Sequence, residues 1–429
     1  MSGPQTTNDI IMKQHHRRFA ITAALALLLL ASAQARTWTS ADGKNTIDGE
    51  LHSYDPVTSK VVVMLPNHKS TAFQQDKLSA DDIAFLKENG AKLAEGPSAN
   101  KSMIGKLETD PKKLFKKHDG KPADMSKPVQ VFILMGQSNM VGLGNIGTLE
   151  EAVKSKSKYP YLVDEGGAWT QRKDVRNVFV MCSGNSPAKD QHNDWMSVSN
   201  RNKLGPEHGI GHCLGNAIES PVMILKSCIG NRSLGWDLLP PGSEPYKFNG
   251  ETQPGYRGTP KDPKGNGEPV AGEWYAGCQY DGDVAAAKKV LENLDNYYPG
   301  GKNFEVAGFF FWQGEKDCGS EAHAEQYEKN LIQFIKQLRK DFNAPNAKFV
   351  LATLGEAKKG EGGNKGKITD AQLAVDGKKN KEFKGNVATV YANPMCHGGS
   401  GNSHYNGNAE TYMDVAEAMG QAMVELINN

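Results

Sequence analysis

The amino-acid sequence predicts an α/β fold, a three-layer α/β/α sandwich around a parallel sheet, preceded by a small β domain. Three observations lead there. Beyond residue 129, continuous apolar runs alternate with helix-like segments, the pattern of a parallel sheet covered on both faces. Residues 36–90 instead carry turn signals and β-branched runs without that alternation, as a small β unit does. Between the two, residues 91–128 are rich in lysine and proline and poor in apolar periodicity, so they read as a linker.

At the start of the chain, Arg17 and Arg18 precede an apolar run from Phe19 to Ala31, and Ala33-Gln34-Ala35 follows. A charged head, a short apolar core and an A-x-A end describe a secretory signal peptide over residues 1–35, cut before Arg36. The run is shorter than the ~20 residues a spanning helix needs. The expectation is an exported protein, secreted or periplasmic, with no stable membrane span; an uncleaved anchor is the competing reading.

Within 36–90, Asp42-Gly43 is a hairpin signal, Val61 to Leu65 is a strand-like run, and Ser79 caps a helix starting at Ala80. A five-strand barrel would fit these signals.

From 129 onward the expected strands are Val129 to Met135, Val178 to Met181, Val222 to Leu225, Val306 to Trp312, Phe349 to Leu354 and Val387 to Tyr391. Gly209 to Ile218, Val284 to Tyr298, Ala322 to Phe342 and Asn408 to Ile427 are the expected helices. The last places Tyr412, Ala416, Met419, Met423 and Leu426 on one stripe. Residues 240–275, dense in proline and glycine, interrupt this order as a lid, a substrate-binding loop or an unstructured insertion.

Lysine and arginine number 50 against 49 acidic residues, a net charge of +1, so the chain lacks the basic footprint of a nucleic-acid partner. The six cysteines (Cys182, Cys213, Cys228, Cys278, Cys318, Cys396) form no C-x-x-C pair. In an exported chain an even count makes disulfides plausible, with a connectivity that sequence does not fix.

Ligands in an open parallel sheet bind beyond the carboxyl ends of the strands, so the chemistry is sought there. "VQVFILMGQSNMVG", 129–142, ends an apolar strand on Ser138. A serine on a tight strand-to-helix turn exposes its hydroxyl beside its own N–H, as a nucleophile near an oxyanion needs; a helix-capping serine is the alternative. Gly136 and Gly142 permit such a turn. In "LKSCIGNRSLGWD", 225–237, the Gly230 N–H is placed as an oxyanion donor. In "FFFWQGEKD", 309–317, the Gln313 amide is a further candidate donor, and Glu315 and Asp317 follow it. That carboxylate spacing does not by itself set up glycosidase geometry. His404 stands in a glycine-rich loop ahead of the last helix, able to reach Ser138 as a general base; His397 competes with it. Asn139, Asn231, Trp236 and Trp312 are expected to line the substrate pocket. His208 and His212 are four apart, a spacing that brings two imidazoles onto one helical face, but two intervening glycines weaken it and no metal or other cofactor is expected.

The order of these motifs, "GQSN", "G-N-x-S-x-x-x-W", "WQGE" and "H-Y" before the C-terminal helix, resembles the SGNH hydrolases over 129–429, specifically the sialate O-acetylesterase-like branch with carbohydrate esterase family six. Residues 36–90 resemble the SLA homology domain, an SH3-like module, in "RTWTSADGK" and "LSADD". The resemblance implies Ser138 as nucleophile, the Ser138 and Gly230 N–H groups and Gln313 as oxyanion donors, His404 as base, and an acetylated carbohydrate as substrate. It also implies an acid three residues before the histidine, where this chain has Gly401. The orienting partner of His404 is then another acid, with Glu315 and Asp317 the nearest by motif, a backbone carbonyl, or nothing. A carbohydrate-binding or scaffold protein with weak catalysis is the alternative function; the partner of the first module is left open.

Overall fold

The computed structural model describes residues 36–55, 59–65, 70–94, 104–199, 203–265 and 272–429. The expected signal peptide, 1–35, lies outside them. The chain divides into two compact units, residues 1–95 and 96–429.

In the smaller unit, β1 (Arg36–Thr39), β2 (Thr46–Asp55), β3 (Lys60–Met64) and β4 (Ser70–Gln74) form an antiparallel meander in that order. The described residues thus give four strands where five were expected. Trp38, Leu51, Val61, Val63, Leu78 and Leu86 make its core. Helix α1 (Ala80–Ala94) starts as anticipated, with Ser79 Oγ accepting from the Asp82 N–H at 3.2 Å.

The larger unit is a mixed α/β fold around a seven-stranded sheet. Its strands are β5 (Val129–Gly136), β6 (Arg172–Met181), β7 (Lys189–Met196), β8 (Val222–Ser227), β9 (Phe304–Trp312), β10 (Lys348–Ala352) and β11 (Val387–Val390). Their order is β11-β10-β9-β5-β8-β6-β7. Every pairing is parallel except β7 against β6. β5 shows why both faces are covered: Val131, Ile133 and Met135 enter one core, while Phe132 and Leu134 enter the other, the period of two that a pleated strand imposes.

Helices α3 (Ile146–Lys156), α4 (Glu207–Ala217) and α8 (Ala409–Asn428) pack on the face of Phe132. Helices α5 (Cys278–Glu292), α6 (Glu321–Asp341) and α7 (Gly363–Ala374) cover the other. Four of these match the expected helices; α3, α7 and the edge strand β7 are additions. The chain builds outward from β5 to one side, then crosses back to β9 on the other, so the crevice between their carboxyl ends is the switch point where such sheets bind ligands.

Two expectations change. The stretch read as a linker packs on the larger unit from residue 104 onward: Ile104 and Leu114 are buried in its core, and the Glu108 N–H donates to Ala217 O at 2.8 Å. Leu107 and Phe115 pack beside them, so a few apolar residues, sparse in sequence, help to pin it. All six cysteines are free thiols rather than disulfides. In the 240–275 segment, a hairpin (Tyr246–Phe248 with Glu251–Gln253) and a series of tight turns are ordered, and residues 266–271 lie outside the described residues. No helix among the described residues is long and apolar enough to cross a membrane.

Candidate active site

Ser138 opens a single helical turn, α2 (Ser138–Val141), directly after β5. The turn is tight because of two glycines. Gly136 has φ of +148°, and a Cβ there would lie 2.3 Å from Trp312 O. Gly142 has φ of +90°, and a Cβ there would lie 2.1 Å from the Gly205 Cα. Only glycine lets these backbones approach. Ser138 caps nothing: Gln137 is the N-cap, without a side-chain bond. Ser138 is half-buried, and its N–H is among those at the start of a helix that find no carbonyl within it.

Behind the turn, Lys226 on β8 is fully buried and donates to Val141 O at 2.7 Å and to Glu207 Oε2 at 2.7 Å. A buried charge is tolerable only when so paired.

A cavity of about 710 Å³ lies over Ser138, lined by Gln137, Leu143, Gly230, Asn231, Glu315, Lys316, Cys318, Gly319, Lys365, Asn402 and His404. Of the sequence candidates, Ser138, Gly230, Asn231, Glu315 and His404 therefore meet in one place. Gly230 is Ser138's neighbour, since a Cβ on it would sit 3.4 Å from Ser138 Cβ. Asn231 is exposed and left-handed, with φ of +59°, a conformation that asparagine tolerates better than most residues.

The His404 loop is held under strain. His404, Tyr405 and Asn406 all have positive φ, 54°, 52° and 51°, each a costly conformation of the kind found at functional sites. Tyr405 anchors them: its ring is buried and stacks on Trp312 with centroids 6.0 Å apart and planes at 22°. Burial pulls the His404 imidazole below its ordinary value, which keeps it neutral and able to accept a proton near pH 7.

Glu315 is buried at the floor of the cavity, where Gln137 Nε2 donates to it at 2.5 Å and Asn139 Nδ2 at 2.6 Å. Burial raises its carboxyl to about 7, with the Glu356 carboxylate adding to the rise. A Cβ on Gly401 would fall 2.7 Å from Glu315 Oε1. The carboxylate of Glu315 thus fills the space beside Gly401, the position where the motif pattern leads one to expect an acid. Gly401 itself is fixed from both sides: its N–H donates to Glu356 Oε2 at 3.0 Å and its carbonyl accepts from Asn139 at 3.3 Å.

Five candidates are corrected. Gln313 does not face the cavity as an oxyanion donor; its Nε2 donates to Arg232 O at 2.9 Å and to Asp317 Oδ2 at 2.5 Å, which takes up both amide protons. Asp317 is not beside His404; it accepts from the Leu234 and Gly235 N–H groups at 2.8 and 2.7 Å and pairs with His323 at 3.7 Å. Asn139 is fully buried, its amide tied to Glu315, Gly401 and the Tyr412 hydroxyl. Trp312 is buried under Tyr405 and Tyr412 rather than in the pocket wall. Trp236 is half-buried and outside the cavity lining.

His208 sits inside α4, its Nε2 3.2 Å from Ser197 O, while the His212 ring packs on Tyr161 at 5.1 Å. His397 does not line the cavity.

Sequence reasoning missed Lys316, Lys365 and Glu356. Lys316 lies inside the "WQGEKD" motif and carried a visible signal; Lys365 belongs to α7, and its Nζ pairs with Glu356 Oε1 at 2.7 Å.

Residues 266–425 match the family model described as "Carbohydrate esterase, sialic acid-specific acetylesterase". No curated protein matches the chain in sequence. Among solved structures, a protein from Arabidopsis thaliana aligns at 18% identity with a TM-score of 0.41, covering 69% of this chain and 98% of its own. A carbohydrate acetylesterase from Xanthomonas citri aligns at 13% identity and a TM-score of 0.42, covering 68% of this chain and 54% of its own, so the match spans about half its length. NanS aligns at 13% identity and a TM-score of 0.37, covering 72% and 98%. The carboxyl-terminal part of the chain is thus similar to carbohydrate esterases.

Proposed function

We propose that the protein is an exported serine esterase that removes acetyl or other short acyl groups from carbohydrates. The observation that carries this reading is the meeting of Ser138, Gly230 and His404 around one open cavity; the family match over 266–425 supplies the substrate class.

In the proposed reaction, His404 takes the Ser138 proton as Oγ attacks the ester carbonyl, forming a tetrahedral oxyanion. The N–H groups of Ser138 and Gly230 donate to that oxygen, and Asn231, which lines the same cavity, takes the assisting role expected of Gln313. Collapse expels the sugar alcohol, which receives its proton from His404. Water, deprotonated by His404, then attacks the acyl-enzyme and releases the acid and Ser138. Glu315 is the acid we assign to the cavity, its carboxylate lying beside Gly401 in the same lining; no hydrogen bond or ion pair joins it to His404, so its support of the imidazolium acts across the cavity rather than by orienting the ring.

The test is acetate release from a panel of acetylated sugars. The expected outcome is turnover that falls by at least ~10⁴-fold in Ser138→Ala, as loss of the nucleophile does in related chemistry. Equal turnover in the variant would remove this reading.

A further inference from the structure

The loop after β8 is clasped from outside the cavity by its own fifth residue, Arg232. We propose that Arg232 is a positioning residue of the oxyanion loop, an assignment that rests on the esterase reading above. Its Nη1 donates to Asn231 O at 3.1 Å and, more weakly, to Gly230 O at 3.4 Å. The rest of the guanidinium is anchored: Nε donates to Gln279 Oε1 at 3.1 Å, Nη2 to Ser183 Oγ at 3.1 Å, and Cζ lies 4.9 Å over the Trp274 ring.

The anchors are themselves fixed. Gln279 Oε1 also accepts from the Gly184 N–H at 2.8 Å, and its Nε2 donates to the fully buried Asp283 at 2.7 Å. A trans peptide points its carbonyl and N–H in opposite directions. Gly230 O and the Asn231 N–H share one peptide, so holding that carbonyl fixes the plane that follows the Gly230 donor, and holding Asn231 O as well fixes the left-handed turn at φ of +59° that sets Asn231 at the cavity. The Arg232 carbonyl is held in turn by Gln313 at 2.9 Å, so three successive carbonyls of the loop are tied. A planar fork can bridge these acceptors at once; an ammonium cannot.

A misplacement of about 1 Å in a donor can cost on the order of 100-fold in rate. The experiment compares wild type, Arg232→Ala, Arg232→Lys and Ser138→Ala on p-nitrophenyl acetate, with melting curves for each. Expected for Arg232→Ala is a kcat lower by about 10- to 100-fold, a KM within about 3-fold, and partial recovery on adding millimolar guanidinium. Should that variant fail to fold, the test passes to Arg232→Lys, which keeps the charge and is expected to show the same split between kcat and KM. A folded Arg232 variant with wild-type kcat, or one whose loss lies wholly in KM, overturns the assignment. Ser138→Ala separates the two failures: if it is inactive while Arg232→Ala is fully active, only the role of Arg232 falls; if it is as active as wild type, the esterase reading falls.

Discussion

Two turns stand side by side at the carboxyl edge of the sheet, where Trp312 on β9 pairs in register with Gly136 on β5. The first, after β5, presents Ser138 with its side chain turned into an open cavity. The second, after β9, presents Gln313, Glu315 and Asp317, and turns two of the three inward. Gln313 ties to Arg232, Asp317 and Tyr327, and Asp317 ties to the Leu234–Gly235 turn. Of these three only Glu315 reaches the cavity, which Lys316, Cys318 and Gly319 of the same turn also line. Residue chemistry says what a side chain can donate; the partners it meets decide whether that donor remains for a substrate. In the proposed reaction the first turn supplies the nucleophile, while Gln313 and Asp317 of the second hold the neighbouring loop in place.

That division can be broken first at Lys226, beneath the nucleophile turn. Lys226→Met leaves Glu207 buried without its cation and the Val141 carbonyl without a donor. The expected loss is about 3–5 kcal/mol of stability, read by chemical denaturation. An unchanged midpoint would show that the first turn does not depend on this pair.

The second turn gives a smaller effect. Asp317→Asn replaces a carboxylate that accepts from the Leu234 and Gly235 N–H groups and from Gln313 with an amide that must set its own N–H against one of them. We expect about 1–3 kcal/mol of lost stability, with a fall in kcat that tracks the loosened 230–235 loop. A loss of activity with full stability would return Asp317 to a direct catalytic role.

The smallest effect is in pH dependence and belongs to Glu315. Its folded carboxyl is raised from 4.5 to about 7, so folding favours its protonated form. The stability it contributes is complete below about 4.5 and declines as pH rises through about 7. In the proposed mechanism activity moves oppositely, rising through the same range as the Glu315 carboxylate forms in the cavity. Glu315→Gln is expected to lower turnover by about 10-fold near pH 8 and to flatten both profiles. If the rise in activity near 7 persists in Glu315→Gln, another group governs it.

The sheet and its main helices were legible because buried parallel strands are continuous apolar runs and long amphipathic helices repeat their pattern. Two elements were not. β7 has the polar sequence KDQHNDWM, fitting for a guarded edge strand; α7 begins with glycine, lysine and asparagine, with little apolar periodicity, and so Lys365 was missed with it. That Ser138, Gly230 and His404 would line one cavity was legible from the order of the motifs that carry them. The partners of Gln313, Asn139 and Asp317 arrive from segments some 80 to 270 residues away in the chain, and no local pattern announces them.

In the proposed mechanism Ser138 is an activated nucleophile with His404 as its base. Treatment with a fluorophosphonate, followed by peptide mass spectrometry, tests it most directly. A single adduct on Ser138 is expected, absent in Ser138→Ala and formed far more slowly in His404→Ala. An enzyme that releases acetate from sugars yet carries no adduct on Ser138 would contradict it.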